Sequence, residues 1–145
     1  MDRRNYFIDL LHSWSEVLNM EMKDLGALVY TYDMAAGEAL GKRESHTPKI
    51  EVPSIVKSGE PVTVKVSVGP HPNTLEHSIR WIKLFYAEEG RAFNPVAYGK
   101  VGFNPGTTDP EAVFKIKFSK GGVLHAIEYC NLHGLWSAKK EIKVS

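Results

Sequence analysis

From Gly41 to the C-terminus, apolar residues tend to fall at every second position. Val62, Val64, Val66 and Val68 alternate with Thr63, Lys65 and Ser67, while Ala112, Phe114, Ile116 and Phe118 enclose Lys115 and Lys117. A period of two marks a strand with one face buried and the other in water. Ser78 to Tyr86 is more continuously apolar, with Trp81 and Phe85 on one side and Ile82 and Leu84 offset. Val123–Tyr129 and Lys139–Val144 supply two further strands, and Lys49–Val52 and Val96–Phe103 two weaker ones. Turn signals separate them: Ser58-Gly59-Glu60-Pro61, Asn94-Pro95, Asn104-Pro105-Gly106 and Gly121-Gly122. About seven short strands in roughly 100 residues predict an all-β, seven-stranded immunoglobulin-like β-sandwich. Trp81 and Trp136 are expected as core aromatics.

Ahead of this region the period changes. From Tyr6 to Val29 the apolar residues Phe7, Leu10, Leu11, Trp14, Val17, Leu18, Met22, Leu25 and Leu28 recur near helical spacing. This predicts one amphipathic helix, or two short ones broken near Gly26. Met34–Leu40 reads as a second short helix or a linker. The chain is thus expected to divide into a helical N-terminal extension, residues 1–40, and a β domain, residues 41–145. The apolar stripe must be covered by the β domain or by another subunit.

Composition narrows the function. The chain has 145 residues, 43% of them hydrophobic and 24% charged, and a net charge of +1, which offers nothing to nucleic acid or to an anionic membrane. Its single cysteine excludes an intrachain disulfide and favours a reducing compartment. Asp9 and His12 interrupt the first apolar run, so neither a signal peptide nor a membrane span is expected, and the protein is read as cytoplasmic.

The candidate chemistry lies in one thiol and four imidazoles. His46 precedes the first strand of the β domain, His71 follows the valine strand, and His77 opens the next. Cys130 ends the penultimate strand and His133 sits in the tight loop after it. Loops at one end of an antiparallel sandwich converge, so residues distant in sequence can ring one ion. Alone, a Cys-x-x-His pair is weak, and a lone cysteine is more often a small buried hydrophobe. The combination is the signal. Structural zinc takes four ligands, one fewer than this set offers. Blue copper wants a methionine shortly after its cysteine, whereas the last methionine here is Met34. Four neutral imidazoles and a thiolate suit a square-pyramidal ferrous ion with a sixth position open. His12 and His125 fit no such pattern and read as structural or surface residues.

The motifs Glu44-x-His46-x-Pro48, His71-Pro72-Asn73-Thr74-x-Glu76-His77 and Tyr129-Cys130-Asn131-x-His133-Gly134-Leu135-Trp136 occur in this order. Across Arg43 to Val144 the chain resembles superoxide reductase, the catalytic domain of the neelaredoxin and desulfoferrodoxin family. The resemblance implies one iron per chain, with His46, His71, His77 and His133 as equatorial ligands and Cys130 as the axial thiolate. It implies one-electron reduction of superoxide to hydrogen peroxide without dismutation, a rubredoxin-like electron donor, and a homo-oligomer, a tetramer being favoured. Glu44 matches the family glutamate that takes the sixth position once iron is ferric.

Departures from the family pattern are specific. Ser45 stands where the family usually has lysine, a residue associated there with attracting superoxide and positioning a proton-donating water. Ser45 is left with a possible water-holding role. The loop before His71 is short, and Phe103–Asp109 lacks a longer loop of many relatives. No cysteine precedes Cys130, which excludes the second, four-cysteine iron centre of desulfoferrodoxins. The alternative function is a non-enzymatic iron protein for electron transfer or sensing, with Glu44 capping the metal permanently.

Overall fold

The computed structural model describes residues 22–145. The part of the expected helical stretch before Met22, and His12 with it, lies outside the described residues. The remainder holds one helical turn, α1 (Leu25–Leu28), and then a short strand, β1 (Tyr30–Thr31). Met34–Leu40 leads into a 3-10 helix (Gly37–Lys42), followed by a turn of α-helix, α2 (Arg43–His46). Pro48 ends α2, because the residue before a proline is forced out of helical backbone; Thr47 sits at φ −69° and ψ 125°. No helix among the described residues is long and apolar enough to cross a membrane.

The rest is strand: β2 (Lys49–Glu51), β3 (Ile55–Val56), β4 (Pro61–Ser67), β5 (Ile79–Glu88), β6 (Val96–Gly102), β7 (Glu111–Lys117), β8 (Gly122–Cys130) and β9 (Gly134–Val144). Seven of the nine strands among the described residues have three or more residues, and these are the seven that the periodicity marks. One sheet runs β1-β9-β8-β5-β6 with β3 also on β9; the other runs β2-β4-β7. The expected β-sandwich is the fold of this chain. β1 and β3 are too short for any period to reveal, and each lies parallel to β9.

The core fills the space between the sheets. Val64 and Val66 of β4 and Ala112 and Ile116 of β7 face Ile82, Leu84 and Tyr86 of β5 and Leu124 and Ala126 of β8, all buried. Each buried Val, Leu or Ile among them contributes roughly 1.5–3 kcal/mol. The expectation for Trp81 needs correcting. The pairing of β5 with β8 slips between Ile79 and Trp81, so both Ile79 and Ile82 point inward although they are three residues apart. Trp81 takes the outer face by simple alternation with the inward Ile82, Leu84 and Tyr86, and lies half-buried there against Tyr129 with the Lys83 ammonium 4.3 Å from its ring centre. Trp136, by contrast, is buried.

Antiparallel order decides where the loops go. The C-terminal end of β4 lies beside the start of β2, the start of β5 beside the end of β8, and the end of β8 beside the start of β9. All four candidate-bearing segments therefore emerge at one end of the sandwich.

Candidate metal centre

His46, His71, His77, Cys130 and His133 meet there, their ligand atoms all within 4.8 Å of one another. The imidazoles form a closed ring. His46 neighbours His71 at 4.6 Å between ring centres, His71 neighbours His77 at 4.6 Å, His77 neighbours His133 at 5.0 Å, and His133 returns to His46 at 5.0 Å. Cys130 Sγ lies 3.5 Å from His71 Nε2 and 3.6 Å from His133 Nδ1.

Local structure orients each ring. His46 is the last residue of α2, and its Nδ1 sits 2.9 Å from the carbonyl oxygen of Lys42 and 2.8 Å from Ser45 Oγ. His71 Nδ1 lies 2.7 Å from the carbonyl oxygen of Pro72. A ring nitrogen facing a carbonyl carries the proton, which leaves Nε2 of both rings with its lone pair. These two Nε2 atoms face each other at 3.1 Å, and His46 Nε2 is 3.1 Å from His133 Nδ1. Lone pairs so close repel unless a cation lies among them. Two donors about 2.1 Å from an ion and at right angles would stand about 3.0 Å apart, so the ring fits a metal. His77 Nε2 is buried with no hydrogen-bond partner among the described residues.

Electrostatics point the same way. Burial holds His46 down to about 4 and also lowers His71 and His133, with Lys42 adding to the effect on His133. Each of these three shifts favours the neutral imidazole, the form that binds metals. Burial raises the Cys130 thiol, opposed by the backbone N–H groups of Leu132 and His133 directed at its sulfur. A cation would be needed to favour the thiolate fully.

The loops are held largely by residues of the same motifs that are not themselves candidate ligands. Asn131 Nδ2 donates to the carbonyl of Glu76 at 2.8 Å, and its Oδ1 accepts from Ser78 N–H at 2.9 Å. Asn73 Nδ2 donates to the Thr108 carbonyl at 3.3 Å, and its Oδ1 accepts from Gly106 N–H at 2.8 Å, tying the short 103–109 loop to the His71 loop. Gly134, at φ +81°, makes the tight turn from Cys130 into β9, and Trp136 Nε1 donates to the His133 carbonyl at 3.1 Å. Glu128 is fully buried between Ile82 and Trp136 of the neighbouring strands, and burial pushes its carboxyl up to about 9. Neither of its oxygens has a partner among the described residues. Strict alternation along β8 would have revealed it, since Leu124, Ala126, Glu128 and Cys130 share one face.

The other expected residues fall nearby. Glu44 is exposed on α2 and its carboxylate stands outside the five-atom cluster. Ser45 Oγ donates to the Lys42 carbonyl at 3.1 Å as well as touching His46. Beside His133 lies an open cleft of about 290 Å³, lined by Tyr30, Lys42, Leu132 and Trp136 among others. Lys49, by contrast, donates to the Gly69 carbonyl at 2.8 Å. His125 points outward from β8, half-buried and away from the cluster.

A β-sandwich carrying four imidazoles and one thiolate at one end defines a class of metal-binding domain, and comparison with known proteins gives the family. The desulfoferrodoxin family profile matches residues 38–139, and the chain belongs to that family. A solved superoxide reductase (neelaredoxin) from Ignicoccus hospitalis is 60% identical, with a TM-score of 0.80, covering 85% of this chain and all of that one. A superoxide reductase of Pyrococcus horikoshii is 45% identical over 108 residues, 70% of this chain and 90% of its own length. The neelaredoxin of Megalodesulfovibrio gigas is 36% identical over 115 residues, 70% of this chain and 88% of its own.

Proposed function

We infer that this protein is a superoxide reductase, taking superoxide, one electron and two protons to hydrogen peroxide. The observation that carries the reading is the convergence of four imidazoles and the Cys130 sulfur, all ligand atoms within 4.8 Å, with His46 Nε2 facing the His71 Nε2 lone pair at 3.1 Å. On this reading His46, His71, His77, His133 and Cys130 would together hold a single iron. Iron bound there would supply the electron, cycling between its ferrous and ferric states.

The side chains account for the remaining work. Hydrogen bonds to the outer nitrogens of His46 and His71 fix both rings before metal arrives, which lowers the cost of ordering the site. The N–H groups of Leu132 and His133 stabilise charge on the Cys130 sulfur. A ferrous ion bound with one thiolate would carry a net charge of about +1, and a focused positive field raises anion encounter by roughly 10- to 1000-fold. Lys42, on the cleft beside His133, adds to that field where the family lysine is replaced by Ser45. Ser45 orients His46, any water-holding role being secondary to its contacts with that ring and the Lys42 carbonyl. Glu44 would be available as a sixth ligand to oxidised iron, and solvent water would deliver the protons.

A rubredoxin-like donor, homotetrameric assembly and a cytoplasmic location belong to the same proposal. So does the division into a helical extension, 1–40, and an iron-binding domain, 41–145.

Metal analysis, visible spectroscopy and stopped-flow mixing with superoxide test the function. One iron per chain, a thiolate-to-iron band on oxidation, and rapid oxidation by superoxide with peroxide released are expected. A loaded site inert to superoxide would shift the reading to electron transfer, and failure to load iron would sink it. Replacing Ser45 with Lys should accelerate the superoxide reaction at low ionic strength, by about 10-fold at most, and the gain should fade as salt is added. An unchanged rate would remove the electrostatic part of the account.

A further inference from the structure

Tyr32 follows β1, which is fixed against β9 with Tyr30 opposite Trp136 and the two rings stacked at 4.9 Å. Trp136 in turn lies against the His46 ring, 5.3 Å between centres. After β1 the chain turns sharply, Ala35 N–H donating to the Thr31 carbonyl at 3.0 Å and Met34 N–H to Thr31 Oγ1 at 3.2 Å. Tyr32 is thus presented by an anchored strap to the exposed side of α2.

Two neighbouring residues of α2 engage it. The Arg43 guanidinium covers its ring at 4.4 Å, and its hydroxyl donates to Glu44 Oε1 at 2.5 Å. Glu44 is two residues from His46 on the same helical turn, close enough in the chain to compete for the metal. Its carboxylate nonetheless stands apart from the five ligand atoms. A phenol donating to a carboxylate makes a short, charge-assisted bond, though exposure to water weakens it. The cation over the ring limits where the phenol can go.

We propose that Tyr32 is a positioning residue that holds Glu44 off the sixth position of the metal centre, so that a small anion gains access before the carboxylate. The proposal rests on the reading of the five residues as iron ligands. It assigns a role to a residue ahead of position 38, where the family match begins. Without the hydroxyl, Glu44 is freer to occupy the oxidised site and compete with any anion for it.

The test is azide titration of the iron-loaded, oxidised full-length protein, followed by its visible spectrum. Wild type, Tyr32→Phe, Glu44→Ala and the double variant are compared; Phe keeps the ring under Arg43 and removes only the hydroxyl. Tyr32→Phe should raise the azide dissociation constant by roughly threefold, the scale of one exposed hydrogen bond, and should change nothing when Glu44 is already Ala. Unchanged azide affinity in Tyr32→Phe, or an equal change in the Glu44→Ala background, overturns the proposal while leaving the iron site standing. A wild-type protein that holds iron but does not respond to azide overturns the open sixth position itself, and this inference with it.

Discussion

Asn131 joins the loop of His77 to the loop of Cys130 through its two side-chain hydrogen bonds. One of them satisfies the N–H of Ser78, a fully buried residue. Leaving a buried donor unpaired costs about 1–3 kcal/mol, so Asn131→Ala should lower stability by about that amount. Because the same contact sets the spacing of two candidate ligands, the variant should also lose iron faster to a chelator. Thermal unfolding and chelator-release kinetics check both, and unchanged values in each would mean the loops are held otherwise. Cys130 and His133 were readable as a pair because they are three residues apart in the chain. The role of Asn131 was not, because its partners are backbone groups that any sequence would supply.

At the scale of strands, the stack of Tyr86, Tyr98 and Phe118 closes the core between the sheets, with ring centres 5.2 Å and 5.1 Å from Tyr86. The Tyr86 hydroxyl donates to the Lys120 carbonyl at 2.7 Å, and burial pushes it up to about 12. An unfolded tyrosine ionises near 10. Between about pH 10 and 12 the unfolded chain therefore loses a proton that the native state keeps, so stability is full below 10 and falls as pH rises toward 12. Tyr86→Phe should flatten part of that alkaline fall, followed by denaturant unfolding across pH 9 to 12. An alkaline slope identical to wild type would show that other groups carry it. The valine strand was legible because its alternation is unbroken, and Val64 and Val66 are indeed fully buried. Trp81 was misjudged because β5 is apolar on both faces, so local pattern does not say which is buried; Ile82, Leu84 and Tyr86 take the inside, and alternation leaves Trp81 outside.

For the whole molecule, the described part of the extension divides at Tyr30. From there the chain pairs with β9, stacks on Trp136 and reaches Glu44. Removal of residues 1–24 should therefore leave the iron spectrum unchanged while altering self-association through the apolar stripe. Removal of residues 1–40 should cost stability as well, about 1 kcal/mol from the aromatic stack alone, and perturb the spectrum. Light scattering, thermal unfolding and the visible spectrum of the two truncations separate these effects. Identical spectra in both would show that the strap from Tyr30 does not support the site.

What the sequence determined by itself was the alternation that makes a β-sandwich and the supply of one thiol and four imidazoles at strand ends. Both follow from local chemistry: periodicity sets which face is buried, and turn residues set where strands stop. Tertiary structure alone decided that β1 returns along β9, that the Ile82 face of β5 and not the Trp81 face meets the core, and that Tyr32 meets Glu44. Those depend on contacts between segments far apart in the chain. The energy of each is shared between two sites and written in neither.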